Sequence, residues 1–394
     1  MGNRWWRRGR RLVSVTLAAM LGMLGAVMVA GPAWADLTRD FNGDGRGDLL
    51  ALFDYGNGST GLWVFPGVPN RPDGQPGQVT PYMAWATTPG NYWIGVTKNV
   101  AGDFNGDGRT DIMSLYDYGN GAAGLFVIPG TTGSGPNATD AHRVWYAPPG
   151  NFWLSVVKVA AGDVNGDGKD DLLAMYNYPD NSFGIWVFPG TASVGDGASN
   201  PYMSWQSPAH WNPLSEVEFT AGDINGDGRD DLVGLWDYPN TVAALRVWAS
   251  GPSGPGAPYD IYYDPNWEPN VGQRAQLATL NSNHDGMDDI AVVSNAQIRM
   301  FNGTDQQGTG YSTPYRLPLA GPHDGPVLTR SVITSANIDE DAGGELVGMF
   351  DNGNGSTSMW VLTGSPNDFF YWYLAEVWSA VPGDFPMNRT KVAR

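Results

Sequence analysis

The stretch Asp40-Phe41-Asn42-Gly43-Asp44-Gly45-Arg46-Gly47-Asp48 carries oxygen side chains at relative positions 1, 3, 5 and 9, and glycine at position 6. A hard cation that takes about six to eight oxygen ligands suits that arrangement. Asp40, Asn42 and Asp44 alternate and can turn inward together. Gly45 permits a sharp turn, the Arg46 carbonyl can coordinate, and Asp48 can close the shell. Ca²⁺ suits such a set better than Mg²⁺, which prefers a small octahedral site rich in water. The alternative is an Asx-rich turn that holds itself together without metal.

The pattern returns along the chain. Its second copy places Asp103, Asn105, Asp107, Arg109 and Asp111 at positions 1, 3, 5, 7 and 9. The third has Asp163, Asn165, Asp167, Lys169 and Asp171, and the fourth Asp223, Asn225, Asp227, Arg229 and Asp231. Two copies are altered: Asn281, Asn283, Asp285, Met287 and Asp289, then Asn337, Asp339, Asp341, Gly343 and Glu345, with Ala342 in place of the turn glycine. Successive copies begin 63, 60, 60, 58 and 56 residues apart. The expectation is four to six bound Ca²⁺ ions, with the last two sites open to question. Arg46-Gly47-Asp48 also spells a cell-adhesion tripeptide, but Asp48 should face the metal and the other copies differ there.

Each loop leads into an apolar run of strand length, such as Leu49 to Tyr55 or Ile112 to Tyr118. Asn57-Gly58 and Asn120-Gly121 then give hairpin turns into return strands, Gly61 to Phe65 and Gly124 to Ile128. A Gly/Pro/Ser/Asn-rich connection follows, then a third strand such as Tyr82 to Trp85 or Tyr202 to Trp205. A fourth, such as Val96 to Val100 or Val156 to Ala160, feeds the next loop. No helical period sustains itself after the leader. Four strands recur per unit, and radial four-stranded blades leave only short protected sheet edges. The fold class is all-β: a β-propeller of six blades, with seven as the alternative.

Pro382-Gly383-Asp384-Phe385 followed by Lys391-Val392-Ala393 parallels Pro149-Gly150-Asn151-Phe152 followed by Lys158-Val159-Ala160. The second of these precedes an Asp loop. The first precedes the end of the sequence, and the loop lacking such a strand is the one at Asp40. A ring closed by both terminal strands is therefore expected.

Arg4, Arg7, Arg8, Arg10 and Arg11 precede an apolar run from Leu12 to Ala30 and the A-x-A site Ala33-Trp34-Ala35. This reads as a signal peptide, residues 1–35, cleaved before Asp36. Residues 36–394 then form one secreted domain. An uncleaved membrane anchor is the alternative. Losing those five arginines and no acids would take the formal charge from −18 to −23. That disfavours nucleic acid and anionic membranes as partners. The chain has no cysteine, so metal clips take the place that disulfides hold in many exported proteins. A monomer is expected.

Aromatic residues recur beside polar ones. Trp93, Trp153 and, in looser alignment, Trp211 follow Pro-Gly or its equivalent, and Tyr55, Tyr118, Tyr178 and Tyr238 stand at hairpin ends beside Asp or Asn. A flat apolar face with hydrogen-bonding neighbours is what a sugar site needs. The alternative is that these rings pack blade against blade.

In these residues the chain resembles the integrin-type FG-GAP and VCBS repeat family, over nearly all of residues 36–394. The resemblance implies a β-propeller with calcium loops of the D-x-[DN]-x-D-G-x-x-D type between two strands of each blade. An EF-hand is disfavoured: it wants Glu at position 12, where Ala51, Ser114, Ala174 and Gly234 stand. Some related propellers are lectins, so the resemblance makes a glycan the leading ligand class; the expectation is a glycan or, alternatively, a protein bound on one face. Two alternatives remain: a polysaccharide lyase or hydrolase acting in the central channel, and a purely structural surface module. His142, His210, His284 and His323 form no metalloprotease spacing, and neither a G-x-S-x-G elbow nor a phosphate loop is present. No enzyme is expected.

Overall fold

The computed structural model describes residues 39–394, apart from 71–75, 137–140, 210, 212–213, 239–241, 268, 270–274, 295–296, 311, 318–329, 340–342 and 366–367. The expected leader, and Asp341 with Ala342, lie outside the described residues. Among the described residues no helix is long and apolar enough to cross a membrane.

Alternation of β-branched, aromatic and small residues between glycine turns produces strands throughout. Blade 1 holds β1 (Leu49–Gly56), β2 (Ser59–Phe65) and β3 (Tyr82–Ala86). Blade 2 holds β4 (Thr97–Gly102), β5 (Asp111–Gly119), β6 (Ala122–Ile128) and β7 (His142–Ala147). Blade 3 holds β8 (Val157–Gly162), β9 (Asp171–Asn177), β10 (Phe183–Phe188) and β11 (Tyr202–Gln206). Blade 4 holds β12 (Val217–Gly222), β13 (Asp231–Tyr238), β14 (Val242–Gly251) and β15 (Gly254–Asp264). Blade 5 holds β16 (Gln276–Leu280), β17 (Asp289–Ser294), β18 (Gln297–Phe301) and β19 (Tyr315–Arg316). Blade 6 holds β20 (Ser331–Ala336), β21 (Glu345–Asp351), β22 (Thr357–Ser365) and β23 (Asp368–Ser379). The last strand, β24 (Thr390–Val392), joins blade 1 on the inner side of β1.

The result is a six-bladed β-propeller, each blade a four-stranded antiparallel sheet. Ring closure follows the expected route: Lys391 stands opposite Leu52 and Val392 opposite Ala51. Six blades use all the strands, so a seventh is not needed. The connections differ from expectation in blades 4 and 6. There β14–β15 and β22–β23 turn back directly, at Gly251↔Gly254 and Ser365↔Asp368, with no long Gly/Pro-rich link. Gly251-Pro252-Ser253-Gly254 is itself a turn signal, and the strands grow longer to meet it.

The second strand of each blade is buried on both faces, as Leu49 to Phe53 shows. The reason is that the core lies between blades. One wedge joins Leu52 and Leu62 of blade 1 to Tyr92, Ile94 and Ile112 on the blade 2 side. Another joins Val347 and Met359 of blade 6 to Leu49 and Phe65 of blade 1, with Phe385 between them. In blades 2 to 6 the innermost strand ends at an Asp loop, and each second strand ends at a hairpin. The ring therefore has a loop face and a hairpin face.

Candidate metal loops and aromatic hairpin sites

The four regular loops fold alike. Asp40 accepts the amides of Gly43 (2.7 Å), Asp44 (3.1 Å) and Gly45 (2.7 Å), and Asp103, Asp163 and Asp223 repeat this set. The position-5 carboxylate caps the amide two residues on, as Asp44 does for Arg46 at 3.0 Å. The position-3 amide nitrogen points at the position-9 carboxylate: Asn105, Asn165 and Asn225 each donate at 2.8 Å to Asp111, Asp171 and Asp231, and Asn42 donates to Asp48 at 3.3 Å. Glycine at position 6 has φ between 80 and 90 in loops 1 to 4, the left-handed conformation expected of it.

Position 9 also receives a contact that the loop motif does not contain. The amides of Gly67, Gly130 and Gly190 donate to Asp48, Asp111 and Asp171 at 3.0, 2.7 and 3.0 Å. A Cβ on Gly130 would stand 2.6 Å from the Thr110 carbonyl and 3.1 Å from that of Phe41, so this glycine is wedged between two loops. The recurring Pro66-Gly67, Pro129-Gly130 and Pro189-Gly190 carried the signal in the sequence.

The loops also join one another. The position-8 amide of each donates to the position-1 carbonyl of the loop before it. Thr110 bonds to Asp40, Asp170 to Asp103, Asp230 to Asp163, Asp288 to Asp223, Gly344 to Asn281, and Gly47 to Asn337. In three cases the side chain adds a second bond: Asp170, Asp230 and Asp288 accept the amides of Asp103, Asp163 and Asp223 at 2.6, 2.8 and 3.1 Å. Burial pushes Asp170 up to about 7 and Arg39 down to about 10, and the attraction between the two charges opposes both shifts only in part. Position-7 side chains cover the position-4 glycine of the loop before, so Lys169 lies over Gly106 and Arg229 over Gly166. His284 replaces that glycine in loop 5, where the following loop has only Gly343 at position 7.

Does a metal fit? The donors are all oxygen. Burial first, then the other loop aspartates, push Asp111 and Asp171 up to about 7 and Asp231 to about 8, and Asp48 well above the usual range. These are buried carboxylates without a positive partner, which a hard divalent cation would supply. Lys169 pairs with Asp167 at 2.9 Å, Arg229 with Asp227 at 3.6 Å and Arg46 with Asp44 at 3.7 Å, and Arg109 pairs with Asp107, so position 5 is turned toward the surface. Among the described residues no three His, Cys, Asp or Glu side chains converge closely enough to hold an ion. The loops here are closed by hydrogen bonds, with a donor set that fits a hard cation in type.

The altered loops have lost parts of this frame. Asn281 leaves its Oδ1 buried without a partner, and Ser282 bonds Asp289 instead. In loop 6, Glu345 accepts the Ile338 amide at 2.9 Å and Asp339 accepts from Asn70 at 2.5 Å. Asp48 is buried, so the Arg46-Gly47-Asp48 tripeptide is not displayed.

On the hairpin face the sequence pairs divide their labour. Tyr92 and Phe152 are buried between blades, while the next residues, Trp93 and Trp153, are 50% and 49% exposed. Each indole lies over a turn glycine: a Cβ on Gly58 would be 2.4 Å from Trp93, and one on Gly121 2.6 Å from Trp153. Tyr55 and Tyr118 are also exposed, whereas Tyr178, Tyr238 and Trp211 are half-buried. Inter-blade packing therefore falls to Tyr92 and Phe152, and not to their Trp neighbours.

Each hairpin tyrosine hydroxyl has a partner across the blade, on the third strand in blades 1, 3 and 4 and on the outer strand in blade 2. Trp63 donates to the Tyr55 hydroxyl at 2.9 Å, and Trp186 to Tyr178 at 3.0 Å. On the outer strand, Met83 and Met203 stand opposite these tryptophans. In blades 2 and 4 the same level carries charge. Arg143 reaches Tyr118 at 3.4 Å and is held by Asp196 at 2.6 Å. Arg246 reaches Tyr238 at 3.4 Å and is held by Asp260 at 2.6 Å. Arg246 also lies over the Trp236 and Trp211 rings. Tyr238, Ala244, Asp260 and Tyr263 line a cavity of about 330 Å³ in blade 4. Sequence reading missed Trp63, Arg143, Arg246, Asp260 and Tyr263, because their cross-strand partners lie at varying distances along the chain.

A model of FG-GAP-like repeats matches residues 40–114, 103–174 and 163–234, each stretch beginning at position 1 of a regular loop. The chain belongs to the FG-GAP-like repeat family. Over 167 residues, 40% of this FG-GAP chain, it is 28% identical to integrin alpha-PS2 of Drosophila melanogaster, and the match spans 12% of that integrin's length. Among solved structures, a lectin of Agrocybe aegerita, described as recognising non-reducing terminal N-acetylglucosamine, superposes with TM-score 0.55. Identity is 15%, over 88% of this chain and 85% of the lectin. The Aleuria aurantia lectin, described as a six-bladed β-propeller that recognises fucose, gives 0.45 at 11% identity, over 86% of this chain and 97% of its own. The likeness to the first is one of fold.

Proposed function

We propose that this propeller is an exported glycan-binding module whose Asp loops hold calcium. The observation that carries the reading is the pair Trp93 and Trp153. Each is seated on a turn glycine and leaves about half its surface open. Rings of this kind stack on the apolar face of a pyranose, and the Asx-rich hairpin beside each supplies hydrogen-bond partners for hydroxyls. The likeness in fold to a lectin supports the choice of a glycan over a protein ligand. Repetition of the platform in adjacent blades would let one molecule engage two sugars and gain avidity.

Calcium in this reading would be held by Asp40, Asn42, Asp44, the Arg46 carbonyl and Asp48, and by the matching residues of loops 2 to 4. Its charge would offset the buried position-9 carboxylates. We read the chain as a binder and not a polysaccharide lyase or hydrolase. Among the described residues lining the channel cavity, Glu218 is the carboxylate side chain, and it is tied to Lys158 and Arg394 instead of being paired with a second acid. Export and a monomeric state belong to the same proposal.

A glycan array probed in millimolar calcium tests this. The expected result is a defined set of sugars bound by the wild type and lost in the Trp93→Ala, Trp153→Ala double variant. No hit at high glycan density would remove the lectin reading.

A further inference from the structure

The innermost strands place one residue each at a common level of the central channel. Lys98, Lys158, Glu218, Gln276, Val332 and Lys391 stand opposite Leu115, Met175, Leu235, Val293, Met349 and Leu52 in their ladders. The level is the hairpin-face end of these strands, away from the Asp loops. Five of the six line a cavity of about 360 Å³, which Arg394 also lines.

Several of these side chains reach to the next blade. Gln276 donates to the Ser331 carbonyl at 2.8 Å, and Lys391 to the Thr97 carbonyl at 2.8 Å. Lys158 donates to the Val217 carbonyl and to Glu218 at 3.0 Å. Glu218 also accepts from Arg394 at 3.1 Å. Glu218 belongs to blade 4 and Arg394 follows the inner strand of blade 1, three blades away, so this bond crosses the channel.

Lys98 breaks the series. Among the described residues its ammonium has neither a hydrogen-bond acceptor nor an ion-pair partner. Burial, with Lys158 nearby, holds its pKa below the usual lysine range, and burial with Lys98 nearby does the same for Lys391. Beside it Asn99, also in the cavity wall, keeps a buried Oδ1 that accepts nothing. Four cationic side chains and one carboxylate side chain thus line a cavity in a protein of formal charge −18. Lys158 and Arg394 share Glu218 and Lys391 is held by the Ile94 and Thr97 carbonyls, so the ammonium left without a paired anion is that of Lys98.

We propose that the hairpin-face mouth of the channel binds an oxyanion, held by Lys98 and Lys391 above the Arg394–Glu218 bridge. The chemistry is that of a carboxylate on an acidic sugar or of free phosphate. The unpartnered Asn99 oxygen is placed to accept a hydroxyl proton, as the sugar acid would provide. The site is separate from the aromatic platforms and does not rest on them.

Titration calorimetry on the purified protein at low ionic strength, with sodium glucuronate, sodium phosphate and sodium chloride at matched ionic strength, tests this. The expected result is saturable binding at one site for glucuronate or phosphate, at least tenfold tighter than any chloride effect. Lys98→Gln should weaken it tenfold or more, Lys98→Arg should retain it, and Trp93→Ala should leave it unchanged. Binding of phosphate alone assigns the site to a free anion, and binding of glucuronate alone to a sugar acid. If Lys98→Gln does not fold, Lys391→Gln takes its place. Equal affinity in the folded Gln variant, or no anion bound beyond chloride, overturns the proposal.

Discussion

The backbone amide of Gly47 donates to the carbonyl of Asn337, joining the first Asp loop to the last. Five like bonds of 2.8 to 3.4 Å link the other loops in order, so the loop face carries a closed belt of main-chain contacts. The belt and the β24–β1 ladder meet at the same blade.

Removing residues 391–394 should therefore loosen blade 1 before the others. We expect the melting temperature to fall by several degrees and amide exchange to quicken first in β1. Asp44→Ala should quicken exchange in the same strand. Unchanged β1 protection in both variants would place the weak point elsewhere.

Gly130→Ala tests the wedge between loops. The added methyl meets backbone oxygens, which cannot rotate away. A loss of roughly 1 to 3 kcal/mol is expected from overpacking, read from urea unfolding of the variant against wild type. A loss within measurement error would show that the loops can part freely.

The position-9 carboxylates give the metal-free protein a pH dependence. Their folded pKa values lie above the unfolded value, so the folded state keeps protons that the unfolded chain releases. This contribution is full below about pH 4 and is lost as pH rises toward about 8. In chelator the melting temperature should drop between pH 5.5 and 8.5. In calcium the drop should disappear, because the ion takes the place of the protons. Identical curves with and without calcium would count against metal in these loops.

Gly121→Ala separates the Trp153 platform from the fold. The glycine has φ 70 and its Cβ would strike the indole. The expected outcome is a shifted Trp emission and weaker glycan binding with only a modest loss of stability. Full binding with Trp153 displaced would mean that this ring is not part of the site.

Much of this architecture was legible in the sequence because it is written in short-range patterns. Asp loops at near-constant intervals, Asn-Gly turns and the Lys391-Val392-Ala393 match fixed blade count and closure. The position-8 aspartates Asp170, Asp230 and Asp288 were not read as inter-blade clips, since their partners lie one repeat away and Gly47, Thr110 and Gly344 vary at that place. The channel cluster escaped for a similar reason. Lys98, Lys158 and Lys391 occupy matching positions, but only closure of the ring brings them together. The hairpin pairs Arg143–Tyr118 and Arg246–Tyr238 needed the cross-strand register, which bulges shift in those blades.

Blades 2 to 6 are each built from a continuous run of chain, and each can assemble as that run emerges. Blade 1 cannot. Its apolar second strand, Leu49–Gly56, must wait for Thr390–Val392, the most distant pairing in the molecule. Contacts of such sequence separation form late. Until then β1 presents an open, hydrophobic edge of the kind that recruits other chains. The interval before closure is thus when this propeller is most exposed to self-association, and a faster-docking last strand would shorten it.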